Sequence, residues 1–190
     1  MIYRCAEVMT AWLIKYNAVD SEDKELYEYA IFSVLFTFSP LLLSIIIGLL
    51  IGRLKQCVIL IIPFLFIRKF SGGFHAKKAW VCLICSSTLL VFGTIVSSYI
   101  KYNLGFAMVT LVAIAILVFF SPIDSESRRL SQEEKKSCKI ATIIITFFFA
   151  FVDLLLYLFQ QETYAVCISL GIILTAGLQV PCLFQRTESE

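Results

Sequence analysis

Six apolar runs dictate what this chain can fold into. They lie at about 29–52, 56–67, 79–99, 104–120, 140–159 and 164–184 and fill most of the 190 residues. A hydrocarbon core about 30 Å thick takes roughly 20 apolar residues of helix to cross, and most of these runs reach that length. Charged residues are only 16% of the chain, against roughly 25% in soluble domains, and mean hydropathy is +0.88. The pattern predicts an all-α, polytopic membrane bundle of about six segments, a single domain over 1–190 with no separate soluble part. The second run, 56–67, is the exception. Twelve residues of helix span about 18 Å, and Pro63 stands inside it. A broken, re-entrant or tilted segment is expected, and irregular backbone at that depth must line a cavity or be covered by protein.

The N-terminus carries Arg4, Glu7 and Lys15 within its first apolar stretch and no small-residue cleavage site after it, so no signal peptide is read there. Ile2, Cys5, Met9, Trp12 and Tyr16 recur at helical spacing. Residues 2–18 are expected to form an amphipathic helix, either on the membrane surface or against the bundle. Seven cysteines lie scattered, mostly within apolar runs. An odd number without a loop framework argues for free thiols in a reducing compartment.

Lysine and arginine set the orientation. With six crossings and the N-terminus inside, 13 of the 16 lysines and arginines fall on the cytoplasmic side. Both termini, the segment 68–82 and the loop 121–139 are then cytoplasmic. The loop 121–139 is the most polar stretch, where Glu133 and Glu134 stand beside the basic pairs Arg128-Arg129 and Lys135-Lys136. It reads equally as a solvated positive-inside loop and as a docking surface for an acidic peptide.

The candidate chemistry lies in 68–82. His75 is the chain's one histidine, and Cys82 follows seven residues later. Cysteine supplies a nucleophile, and histidine is suited to take its proton near neutral pH. Seven residues on one helix would separate the pair by about 10.5 Å. His75 is therefore expected in a loop, with a helix starting near Ala76–Ala79 and Cys82 in its first turns. Gly72-Gly73 permits the chain reversal this needs. The helix N-terminus, Lys77, Lys78 and a protonated His75 would all lower a thiol pKa. Taken alone the spacing is a weak signal, and a structural histidine beside an inert cysteine fits it well.

The run Arg68-x-x-Ser71-Gly72-Gly73-x-His75-Ala76, with Cys82 seven residues on, resembles the signature of the AgrB family. These are membrane cysteine endopeptidases of Gram-positive quorum sensing. Size, the number of apolar segments and the Ser-Pro-x-Asp stretch at 121–124 extend the likeness to most of the chain. The resemblance implies that His75 and Cys82 are the catalytic pair and that Arg68 and Gly73 belong to the motif. It implies an AgrD-like propeptide as substrate and a homodimer in the bacterial cytoplasmic membrane. Cleavage would pass through a Cys82 acyl-thioester, and the peptide would cyclise to a thiolactone or lactone. Arg68 could hold a substrate carboxylate, an oxyanion or a lipid phosphate; no third triad member is obvious, and Ser71 is the nearest polar candidate, although a backbone carbonyl would orient the imidazole equally well. No cofactor, metal or nucleic acid is expected.

Two other classes stay open. Cys82-x-x-Cys85 would suit a membrane thiol oxidoreductase or, with His75, a metal site, although packing is the simpler role for Cys85. A peptide transporter is the other class, because Asp153 lies within an apolar run, where carboxylates often mark ion paths or polar contacts. Gly48-x-x-x-Gly52 would suit close helix packing, within the chain or between copies.

Overall fold

The computed structural model describes residues 2–16, 18–72, 79–122 and 131–187, with the side chains of 79–84 and 181–187 among those left undescribed. It is all-helical, with no strand among the described residues. The helices are α1 (Ile2–Lys15), α2 (Lys24–Leu50), α3 (Leu54–Ser71), α4 (Ala79–Val96), α5 (Leu104–Phe120), α6 (Gln132–Leu158) and α7 (Glu162–Thr187), with a short 3-10 turn at Ser21–Asp23. The chain forms two compact units, Met1–Leu43 and Ser44–Glu190.

In the first unit, α1 ends at Lys15, three residues short of the expected bound. Ala6 and Thr10 are its buried positions, and the Thr10 hydroxyl donates 2.9 Å to the Ala6 carbonyl. Cys5, Met9, Trp12 and Tyr16 stay exposed, and the Trp12 and Tyr16 rings meet edge-on at 4.6 Å. α2 starts earlier than its apolar run, and Lys24 and Glu28 pair at 3.7 Å across its first turns.

In the second unit α3 and α7 form the centre. Cys57, Leu60, Ile61, Phe64 and Ile67 of α3 are buried, as are Ala165, Val166, Cys167, Ile168, Ile172 and Ala176 of α7. The expectation of a broken second segment does not hold: α3 runs for 18 residues straight through Pro63, about 27 Å of helix. Small residues bring its neighbours close. A methyl on Gly171 of α7 would lie 2.7 Å from both the Leu60 carbonyl oxygen and Pro63 Cγ, and one on Gly93 of α4 would lie 3.0 Å from Leu60 Cδ1. The glycine pair at 48 and 52 divides its duties. Gly48 faces Leu54 and Cys57 of α3 within the same chain, and Gly52 makes the α2–α3 turn with φ +71°.

Polarity is arranged the reverse of a soluble protein. Thr110, Thr142, Thr146, Asp153, Ser169, Thr175 and Gln179 are buried. Val109, Val112 and Phe119 of α5, with Phe147, Phe148 and Phe151 of α6, are exposed. An exposed apolar surface of this extent needs a cover, and small or hydroxylated residues at helix contacts are characteristic of bundles in lipid. Several of those hydroxyls are satisfied inside their own helix, as when Thr142 donates to the Cys138 carbonyl and Thr175 to Gly171. No backbone partner is then taken from a neighbouring helix. Two helices are long and apolar enough to cross a membrane among the described residues, Gln132–Leu158 and Glu162–Val180. Leu41–Leu50, Cys85–Val96 and Leu104–Phe120 are shorter apolar stretches.

Candidate active site

Three helix ends frame the site: the last turn of α3, the first turns of α4 and the end of α5. Arg68 and Ser71, expected in a loop, are helical. α3 continues past its apolar run because Arg68 has two uses for its side chain. Its Nη1 donates to Ser86 Oγ of α4 at 3.1 Å, and its guanidinium lies 5.4 Å from the Phe64 ring centre. A cation over an aromatic face is attracted by the ring quadrupole. Ser86 stands one helical turn after Cys82, and residues four apart share a helix face. Arg68 is thereby tied to the part of α4 that carries Cys82.

Ser71 is buried, and its hydroxyl donates to the Gly72 carbonyl at 3.3 Å. Gly72 closes α3 with φ +71°, a region that glycine enters without steric cost. α4 is described from Ala79 onward, and Cys82 lies on it one turn before Ser86. Gly73, His75, Lys77 and Lys78 lie outside the described residues, as do Arg128 and Arg129 and the side chain of Cys82. Cys85 is exposed, which corrects the expectation that it packs.

The basic loop is shorter than expected. α6 starts at Gln132, so Lys135 and Lys136 are helical, and Lys136 is exposed. Ser131 caps that helix: its hydroxyl accepts from the Glu134 N–H at 3.3 Å, and Glu134 accepts from the Ser131 N–H at 2.8 Å. This reciprocal box assigns Glu134 a structural task, where the sequence suggested only a solvated or docking charge.

Sequence reasoning missed Gln179. It is fully buried in α7, and its Nε2 donates to the Ser71 carbonyl at 3.1 Å and to Ser121 Oγ at 2.8 Å. One amide thus joins the end of α3 to the residue that follows α5. A lone glutamine within the last apolar run was the available signal, because a polar group in a membrane segment needs partners. Ser86 and Ser121 were missed for the same reason.

A second polar cluster lies towards the opposite end of α7. Asp153 of α6 is 4% exposed, and its Oδ2 accepts from Tyr102 at 2.9 Å and from Ser169 at 3.0 Å. Ser169 and Gln179 are ten residues apart on α7, about 15 Å. Asp153 is therefore not part of the Arg68–Ser71 site and joins α6, α7 and the α4–α5 connection. Tyr102 stacks at 4.7 Å on Tyr157. Burial, then the Asp153 charge and its hydrogen bond, push the Tyr102 phenol up to about 12.

Comparison with known proteins follows this geometry. The family model for accessory gene regulator B matches residues 6–182. An AgrB-like protein of Clostridium perfringens is 27% identical over 174 residues, covering 84% of this chain and 80% of its own. The accessory gene regulator protein B of Staphylococcus saprophyticus is 32% identical over 133 residues, covering 67% and 66%. An AgrB-like protein of Listeria innocua is 33% identical over 106 residues, covering 53% and 52%. No solved structure matches. Helices fit for a bilayer, an apolar exterior and a family match over nearly the whole chain agree: this membrane protein belongs to the accessory gene regulator B (AgrB) family.

Proposed function

We propose that the chain is a multi-pass membrane cysteine endopeptidase that removes the C-terminal tail of an AgrD-like propeptide and cyclises the remainder. The observation that carries this reading is the position of Cys82. It lies on α4 one turn before Ser86, which accepts from Arg68 of the same Arg-x-x-Ser-Gly-Gly-x-His motif. Family membership supports a role beside the other Agr components.

The reaction balances without a cofactor. His75 takes the Cys82 proton, and the thiolate attacks the carbonyl carbon that ends the signal segment. The C–N bond breaks, His75 returns its proton to the leaving amine, and the tail departs. The signal segment remains as a thioester on Cys82. The peptide's own cysteine or serine then attacks that carbonyl, and its proton passes through His75 to the departing Cys82 sulfur. The product is a thiolactone or lactone. Holding the internal nucleophile against the thioester makes its attack effectively unimolecular, and a site partly closed by lipid and protein keeps water from competing. Arg68 stabilises charge at the scissile carbonyl or carboxylate. Ser71, Gly72 and Gly73 shape the turn into His75. Arg128, Arg129, Lys135 and Lys136 receive the acidic tail on the cytoplasmic side. The chain works as a homodimer with six crossings and both termini inside.

The test is tail release in proteoliposomes holding the purified chain and the AgrD-like peptide encoded beside it, read by intact mass. Wild type and Cys85→Ser are expected to release the tail, and Cys82→Ser and His75→Gln to fail. Release by Cys82→Ser would sink the assignment. Translocation of uncut peptide by wild type would replace it with the transporter reading, to which the buried Asp153 would then belong.

A further inference from the structure

Arg68 is held from two sides by buried side chains. Its Nη1 donates 3.1 Å to the Oγ of Ser86, which is 5% exposed, and its guanidinium lies 5.4 Å from the ring centre of Phe64, which is 1% exposed. Phe64 stands one turn earlier on α3, whereas Ser86 belongs to α4, the helix of Cys82. Further along α4 and just beyond it, Thr94 donates to the Leu90 carbonyl and Ser97 to the Thr94 carbonyl. Those hydroxyls act within their own stretch of chain, while the Ser86 oxygen takes a charged donor from another helix. A guanidinium is a planar fork of five N–H donors. Fixing one N–H and one face therefore fixes the direction of the others. Residues four apart on a helix have Cβ atoms about 5–6 Å apart, so Nη1 is held about one turn from the Cys82 position on α4. A carbonyl carbon bonded to the Cys82 sulfur would bring its oxygen into that reach. A side chain that follows a mobile tail gains from freedom; one that stabilises charge at a fixed bond gains from being held beforehand.

Resting on the endopeptidase reading, we propose that Ser86 is a positioning residue that presents the Arg68 guanidinium to the oxyanion formed at the scissile carbonyl, and that Arg68 serves this charge and not a carboxylate of the tail. As the Cys82 sulfur bonds to the carbonyl carbon, the C=O π pair moves onto oxygen, and an Arg68 N–H donates to that oxygen. When the pair returns, the C–N bond breaks and the amine leaves with the proton from His75. An oxyanion forms again at the same carbon when the peptide's internal nucleophile attacks the thioester, so one held arginine serves both steps. The bond to Ser86 is made without substrate, so its effect falls on the transition state and not on binding.

The test is the kinetics of tail release by the full chain in proteoliposomes, with the AgrD-like precursor as substrate and rates taken per folded protein, for wild type, Ser86→Ala, Ser86→Thr and Arg68→Ala. Ser86→Ala is expected to lose about tenfold in kcat with KM little moved, the pattern of an interaction realised only in the transition state. Ser86→Thr keeps the accepting oxygen, should regain most of that loss, and covers the case in which Ser86→Ala folds poorly. Arg68→Ala removes the donor itself and should lose more, about 100-fold or beyond. A serine that only packs α3 against α4 would move the unfolding midpoint and leave kcat per folded chain unchanged. An unchanged kcat in Ser86→Ala, or a threonine variant no better than alanine, would overturn the assignment of Ser86. A rise in KM with kcat unmoved would overturn it too and give Arg68 to the tail carboxylate. Each of these results leaves the endopeptidase reading in place. Absence of tail release by wild type would overturn that reading, and this inference with it.

Discussion

Replacing Gly171 by alanine should destabilise the bundle, and the structure gives the size of the effect. The added methyl would stand 2.7 Å from the Leu60 carbonyl oxygen and 2.7 Å from Pro63 Cγ. Ordinary carbon–oxygen contacts are about 3.3 Å and carbon–carbon contacts about 3.5–4.0 Å. One obstacle is backbone and the other a proline ring, so neither can rotate away. α3 and α7 must part by about 0.6–1 Å, a gap that forfeits a quarter to a half of the dispersion well across the contact. Overpacking of this kind costs about 1–3 kcal/mol, and the better helix propensity of alanine returns about 1 kcal/mol. A net loss of up to about 2 kcal/mol is expected, and a gap of about 1–3 kcal/mol from a glycine-to-alanine change that meets no obstacle. The same separation would stretch the 3.1 Å bond from Gln179 to the Ser71 carbonyl. Gly177→Ala is the control, because among the described residues nothing beyond its own stretch of helix lies within 4 Å of its added methyl. That change should be neutral or stabilising by up to about 1 kcal/mol. Reversible unfolding in mixed micelles reads both. Equal midpoints for the two variants would refute the close α3–α7 crossing.

Other outcomes follow from the same coordinates. Tyr102→Phe should cost about 1–2 kcal/mol by removing a hydrogen bond to Asp153, measured by unfolding at neutral pH. Because the Tyr102 phenol is raised from 10.0 to about 12, the stability tied to its neutral form should be full below pH 10 and fade as pH rises through 12. A pH series of wild type against Tyr102→Phe would reveal a converging pair of curves. Ser131→Ala should cost about 1 kcal/mol through loss of the α6 capping box, again by unfolding midpoint. In detergent, a maleimide should modify exposed Cys5 and Cys85 faster than buried Cys57 and Cys167, read by peptide mapping.

The helical class was legible in the sequence because a bilayer demands long apolar helices and short polar connections. α3 was misread for two local reasons. Proline reads as a break, yet a helix covered by protein tolerates the lost N–H, and Pro63 is buried in the α3–α7 contact. Arg68 and Lys69 read as loop charges, yet Arg68 finds Ser86 and the Phe64 ring. The partners of Gln179 were out of reach, because they lie 108 and 58 residues away in sequence. No periodicity reports a contact at that distance. Asp153 stood out as a carboxyl in an apolar run, but only the fold names Tyr102 and Ser169 as its donors.

The most direct test of Cys82 as the nucleophile is capture of the acyl-enzyme. A precursor whose internal cysteine or serine is replaced by alanine cannot close the ring, so the thioester should accumulate. Intact mass of the wild-type chain in proteoliposomes should rise by the signal segment without its tail. Digestion should place the adduct on Cys82, and hydroxylamine should remove it. An adduct on Cys85, or tail release with no adduct on any cysteine, would contradict the proposed chemistry.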